Sequence, residues 1–287
     1  MSVTRSPFRS PVRGPTQSPF GVSGLLERTR TFRDRVKGEN GSIEDGSLEG
    51  LYDPILRTVK GFSGVGLSDL VFFGSGSAVE VNSGSIPKIF DGSGNENDAI
   101  QTTTADQPTL DKNGIGGRWE ANADGGDSLR VPSGVADAFE SGSEGTAIVV
   151  VRYNSPSAYV NAFALDDSGP FWIMRSNNFG EIVILVDDGS SGATVTGSTP
   201  SHPVTLIQSG RYDGSEVVVR ENGAETGSAS TSLGDSTYTG KEFLMRRSTG
   251  ENIKGALACT IAFGTPLSNT QASKIEDKAN TYYNNIY

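Results

Sequence analysis

Few residues in this chain are of a type that does chemistry, and their spacing narrows the choice further. The one histidine, His202, sits in the turn-like stretch Ser198-Thr199-Pro200-Ser201-His202-Pro203. The one cysteine, Cys259, lies in the apolar run Ala256-Leu257-Ala258-Cys259-Thr260-Ile261 and reads as a small core residue. With no second histidine or cysteine no zinc set of these residues can be assembled, and a core cysteine and a turn histidine make no reactive pair. Paired carboxylates at alternate positions of one strand both face one cleft, an arrangement suited to glycosidic chemistry on a β-sheet. Glu44, Asp45 and Glu49 fall instead in a Gly- and acid-rich connector, and Asp187-Asp188 close a strand. The expectation is a non-enzymatic protein, with no catalytic residue to name.

One stretch is rich in oxygen ligands. In Asp91-Gly92-Ser93-Gly94-Asn95-Glu96-Asn97-Asp98, oxygen side chains recur at Asp91, Ser93, Asn95, Asn97 and Asp98. That spacing suits a hard cation such as calcium, the one cofactor the sequence raises. Against the EF-hand template the loop lacks Gly at the sixth place, where Glu96 stands, and Glu at the twelfth, where Thr102 stands. Asp, Asn, Ser and Gly are also the ordinary turn formers, since they tolerate positive φ and bond their own backbone. The turn is the favoured reading and the cation site its alternative. For sugar stacking, Tyr153, Tyr159, Trp172 and Tyr212 qualify by type, but Trp172 lies in Phe171-Trp172-Ile173-Met174, which reads as a core strand. No glycan site is placed by the sequence.

The elements that must hold these residues are mostly strands. With 37 glycines, 8 % aromatics and Ser, Thr, Asn and Asp crowded between apolar runs, the 287 residues read as short strands and tight turns. Strand signals cover 68–73, 78–82, 86–90, 146–153, 159–165, 171–175, 181–186, 217–221, 241–246 and 255–263. Asn222-Gly223 marks a hairpin. Ser268 and Gln271 form an S-x-x-Q capping box for a closing helix with an apolar stripe at Ala272, Ile275, Ala279, Tyr282 or Tyr283, and Ile286. The fold class expected is all-β, a two-sheet antiparallel β-sandwich with an extended N-terminal arm and this C-terminal helix as the only long one.

Charge divides the chain. Residues 1–37 carry eight basic and two acidic side chains (+6), which leaves sixteen basic and thirty-two acidic (−16) for the remainder. An acidic body disfavours nucleic acid. Within the basic part, Arg5-Ser6-Pro7-Phe8, Arg9-Ser10-Pro11-Val12, Arg13-Gly14-Pro15-Thr16 and Gln17-Ser18-Pro19-Phe20 repeat one tetrapeptide. Proline every fourth residue forbids a helix and a central strand, so this is an extended tether that orders against a partner. Arg5, Arg9 and Arg13 offer charge, and Phe8, Val12 and Phe20 offer apolar anchors. The organisation read is 1–37 as basic arm with a short helix around 25–36, 38–66 as connector, and 67–287 as sandwich. No run of about 18 apolar residues spans a bilayer, and no signal-peptide core follows the N-terminus, so synthesis in a cytoplasm is expected.

At this point the residues suggest a family. Ile89-Phe90-Asp91-Gly92-Ser93-Gly94-Asn95-Glu96-Asn97-Asp98-Ala99-Ile100-Gln101-Thr102, followed by Gln107-Pro108, resembles a stretch of concanavalin A-like, laminin G-like domains in phage and bacterial surface proteins. Gly117-Arg118-Trp119-Glu120, Ser128-Leu129-Arg130-Val131 and the ending Ile261, Gly264, Leu267-Ser268, Gln271, Tyr282-Tyr283-Asn284-Asn285-Ile286-Tyr287 are similar to later parts of that pattern. Phe90 replaces the family's usual Trp, and Trp119-Glu120-Ala121 its F-D-G, so no ligand residue carries over from those places. The resemblance implies a jelly roll in a virion structural protein: head fibre, spike, decoration or tail fibre. Its partners would be capsid or tail proteins of the same particle through the arm, copies of itself as trimer or pentamer, and host surface glycans. The rival is a free lectin or carbohydrate-active enzyme.

Overall fold

The computed structural model describes residues 22–139, 144–155, 159–165, 171–234, 243–244 and 253–287. The tetrapeptide arm, with Arg5, Pro7, Phe8, Arg9, Pro11, Val12, Arg13, Pro15, Pro19 and Phe20, lies outside the described residues.

The chain opens with α1 (Val22–Gly38), β1 (Ser42–Ile43), a π-helical turn (Leu48–Tyr52) and α2 (Asp53–Lys60). Strands then dominate: β2 (Leu70–Asn82), β3 (Ser85–Asp91), β4 (Ala99–Ile100), β5 (Thr109–Asp111), β6 (Glu120–Asp124) and β7 (Leu129–Arg130). After the short α3 (Ser133–Asp137) come β8 (Gly145–Tyr153), β9 (Val160–Leu165), β10 (Phe171–Ser176), β11 (Ile182–Asp187) and β12 (Gly192–Thr196). The last set is β13 (Val204–Tyr212), β14 (Glu216–Glu221), β15 (Ala224–Ser230), β16 (Phe243–Leu244), β17 (Lys254–Phe263) and α4 (Asn269–Tyr282).

Every ladder among the described residues is antiparallel. One run pairs β2, β17, β8, β13, β14 and β15 in that order, and another pairs β4, β7, β16, β9, β10, β11 and β12. β3 joins the two runs by pairing with both β2 and β4, so the strands form one continuous hydrogen-bonded system. Val149, Val151 and Leu257 of the first run share a core with Phe163, Trp172 and Ile184 of the second. The result is a β-rich, sandwich-like fold. Phe163 and Phe139 meet the Trp172 ring edge-on at 5.8 and 5.5 Å, an arrangement worth about 1 kcal/mol per pair beyond area.

The first run is covered on its second face as well. Ile148 and Val150, between the inward Val149 and Val151, pack with residues of α1, α2 and α4. Burial on both faces explains why β8 reads as an unbroken apolar run instead of an alternating one. Asn222 (φ 51°) and Gly223 (φ 82°) make the β14–β15 turn, and the Ser268–Gln271 box caps α4.

Three expectations need correction. The C-terminal helix is not the only long one: α1 has 17 residues against 14 in α4. Its buried positions Thr29, Phe32 and Val36 recur at 3–4 spacing, a stripe short enough to hide among the surrounding charges. Residues 38–66 are not merely a connector, because Leu51, Tyr52, Ile55, Leu56 and Val59 are core residues against the first run. Glu44 is accordingly no flexible acid but buried, accepting bonds from the Tyr282 hydroxyl at 2.8 Å and the Trp119 amide at 3.2 Å.

Candidate functional site: the Asp91 loop and the grooves beside it

The loop after β3 is built around two buried carboxylates. Asp91 is fully buried, and its Oδ1 accepts the amides of Phe73 and Ser93, each at 2.8 Å. Its Oδ2 accepts the Ser93 hydroxyl at 2.6 Å and the Asn97 amide at 3.0 Å. Asp98 closes the turn by accepting the Asp91 amide at 2.8 Å. The side-chain amides of Asn95 and Asn97 donate to Leu70 and Val71 carbonyls on β2, both at 2.8 Å. Ser93 Oγ also accepts the Asn95 amide at 3.2 Å. Each of the five residues read as candidate cation ligands is thus engaged within the protein. Among the described residues no group of three or more His, Cys, Asp or Glu is placed to hold a metal ion. Glu96 takes φ 59° at the place where the calcium template demands glycine.

This loop receives α1. Arg28 donates to the Ser93 carbonyl, and Arg35 donates to the Asp91 carbonyl at 2.7 Å and to Asp98 Oδ1 at 3.0 Å. Gly94 takes φ 93° beside the Arg28 guanidinium, a backbone conformation that favours glycine there. Burial lowers the Arg28 pKa, with Asp91 opposing that shift. Burial raises the Asp98 carboxyl above its ordinary value, while the Asp91 amide, Arg35 and Lys88 pull the other way. Phe90, where the resembling family has Trp, is buried with Lys88 and Arg35 over its ring at 5.0 and 5.8 Å.

Two grooves flank the loop. One, of about 420 Å³, lies at the α1 junction between Arg28, Phe32, Arg35, Gly92 and Glu96. The other, of about 590 Å³, lies beyond Asp98 and is lined by Ile100, Gln101, Thr102, Ser128, Arg130 and Ser133. Ile100 and Arg130 are direct cross-strand partners on β4 and β7, and both are exposed. Sequence reasoning missed this pair, because its members lie thirty residues apart in strands of two residues.

The other candidates are placed elsewhere. Tyr153, Trp172 and Tyr212 are fully buried. Tyr159 is half-buried, with the Arg175 guanidinium 4.2 Å from its ring centre. Both ring nitrogens of His202 lie 3.3 Å from carbonyl oxygens, of Tyr153 and Gly180. Cys259 is buried, and burial pushes its thiol pKa up. Glu120 is buried against Arg152 at 2.6 Å and the Ile115 amide at 2.8 Å, its pKa raised by that burial. Glu276 on α4 is held by Arg220 at 3.0 Å and Ser209 at 2.6 Å.

No protein-family model matches the chain, and no curated protein sequence does either. Solved structures do resemble it. The binding domain of Paraclostridial Mosquitocidal Protein 1 superposes with a TM-score of 0.54 at 15% identity, covering 75% of this chain and 53% of that one. Trypanosoma rangeli sialidase gives 0.51 at 10% identity over 90% of this chain and 39% of its own. The CBM40 of Ruminococcus gnavus IT-sialidase gives 0.46 at 13% identity over 55% and 96%. At such identities the first two likenesses establish a common β-rich, sandwich-like fold.

Proposed function

We propose that this chain is a non-enzymatic virion structural protein, a phage-like head fibre, spike, decoration or tail-fibre component. Its basic N-terminal arm anchors it to capsid or tail proteins, and a jelly roll of the concanavalin A-like, laminin G-like kind faces outward toward host surface glycans. The observation that carries this reading is the α1 junction. Arg28 and Arg35 bind the root of the arm to the Asp91 loop, so a pull on the arm is borne by the sandwich. A tail that merely trailed from the body would not need that clamp. The described buried carboxylates Glu44, Asp91, Asp98, Glu120, Asp127, Glu221 and Glu276 each meet a hydrogen-bond donor, an arrangement that serves structure more than proton transfer.

Glycan contact is supported by the fold. The similar part of the mosquitocidal protein is named a binding domain, and the T. rangeli sialidase was solved with a difluoro keto-deoxy-nononic acid. A free lectin is the second reading, favoured by the Ile100–Arg130 groove, which requires no particle.

Deleting residues 1–20 tests the first reading. The truncated protein is expected to stay folded and soluble with an unchanged melting temperature, and to be lost from purified particles. Truncated protein at normal occupancy would overturn the anchoring role. Native mass spectrometry of the full chain is expected to show a trimer or pentamer, since repeated weak contacts gain from multivalency.

A further inference from the structure

The groove beyond Asp98 contains one charged side chain that no other described residue binds. Arg130 lies on β7, between β4 and β16, so its backbone is held from both sides. Its neighbours Leu129 and Val131 are fully buried in the shared core, and alternation therefore sends Arg130 outward. The same argument applies to Ile100, whose neighbour Ala99 is in that core. Ile100 is 42 % exposed, one of only a few large apolar side chains so exposed among the described residues. Directly opposed residues on neighbouring strands hold their Cβ atoms about 5 Å apart. The groove thus presents a guanidinium and an apolar surface side by side on a rigid sheet.

The Arg130 guanidinium makes no hydrogen bond or ion pair among the described residues. Elsewhere around this loop the polar groups are bound: Gln101 donates to Ser128 Oγ at 3.1 Å and to the Ser128 carbonyl at 3.2 Å. Thr102 and Ser133 leave exposed hydroxyls at the rim. Asp98, the one carboxylate among the described residues lining the groove, is already countered by Arg35 at 3.0 Å and Lys88 at 3.8 Å. An anion entering beside Arg130 therefore meets a cation without a partner among the described residues, and a compensated acid.

We infer that this groove binds a carboxylated sugar, with Arg130 forking onto the carboxylate and Ile100 lying against the apolar face of the ring. The inference rests on the glycan-contact reading and names its site and ligand class. Planar guanidinium matches planar carboxylate through two parallel N–H···O bonds. A groove of about 590 Å³ has the size of a small-ligand site, enough for one or two sugar rings. The acidic body repels a polyanion at long range, so recognition is local to one acid group and gains strength from several copies.

The test is binding of the full-length protein to an immobilised panel. It contains oligosaccharides ending in glucuronate, galacturonate or N-acetylneuraminate, the same sugars with the carboxyl reduced, and a sulfated set. The expected result is retention of one or more carboxylated members and loss of their reduced partners. Arg130→Ala should weaken that binding by about tenfold to a hundredfold, Arg130→Lys by less, and Ile100→Ala by a few-fold. Both positions are exposed, so an unchanged melting temperature certifies the fold of each variant. Carboxylate binding indifferent to Arg130→Ala, or equal binding of the reduced partners, overturns this site while leaving glycan contact standing. Arg130-dependent binding of the sulfated set alone overturns the carboxylate assignment. Failure to bind any glycan overturns this inference and the broader reading together.

Discussion

Two neighbouring regions of this molecule handle polar groups in opposite ways. In the loop from Asp91 to Asp98, four donors converge on one buried carboxylate, and two arginines from α1 complete the set. A few residues later, Ile100 and Arg130 face solvent with the guanidinium unpartnered among the described residues. Both regions are polar, and among the described residues only the second keeps a guanidinium without a partner. A satisfied network stiffens and specifies a structure, whereas an unsatisfied exposed donor on a rigid sheet is available for recognition.

The largest effect that would separate them is at Asp91. Replacement by Ala strands the buried amides of Phe73 and Ser93 and the partly buried amide of Asn97, and should cost about 3–5 kcal/mol in a denaturant titration. Calcium or chelator should leave the melting temperature of the native chain unchanged. A marked calcium-dependent rise in the native chain alone would return the loop to the cation reading.

Arg35→Ala comes next, at about 2 kcal/mol, because it breaks a half-buried pair with Asp98 and the bond to the Asp91 carbonyl. Hydrogen exchange should show the loss concentrated in α1. Since Asp98 then lines the groove with less compensation, acid-sugar binding should weaken more than any neutral-sugar binding does.

A smaller, pH-dependent effect concerns Asp98 itself. Burial raises its folded pKa above the ordinary 3.8, so the folded protein holds this proton more tightly than the unfolded chain. The carboxyl contributes most to stability while protonated, and that contribution is lost as pH rises from about 4 through the folded value. The stability of Asp98→Asn relative to the native chain should therefore improve as pH rises across that window. A relative stability that declines with pH would show the Arg35 and Lys88 attractions outweighing burial.

The smallest effect is expected in the groove. Arg130→Ala and Ile100→Ala should each change stability by no more than about 0.5 kcal/mol. A loss comparable to that at Asp91 would mean that Arg130 supports the fold, and the contrast between the two regions would collapse.

Much of the architecture was legible in the residues because its signals are local. Asn222-Gly223 tolerates positive φ, Ser268 and Gln271 reach each other across one helical turn, and the runs at 146–153 and 255–263 are apolar enough to be buried strands. The turn chemistry of 91–98 was legible for the same reason, since Asp91 and Ser93 bond backbone amides within a few residues. Other features depended on distance. The stretch 38–66 reads as loose because its glycines and acids dominate, yet Leu51, Tyr52 and Ile55 find a sheet face to cover. Glu44 looks like a surface acid until Tyr282, 238 residues away, brings a hydroxyl to it. The Ile100–Arg130 pair leaves no period in the sequence, because a two-residue strand has none to leave. Only the antiparallel pairing of β4 with β7 sets that apolar surface beside that charge, and only the docking of α1 adds Arg35 to Lys88 in compensating the acid next to them.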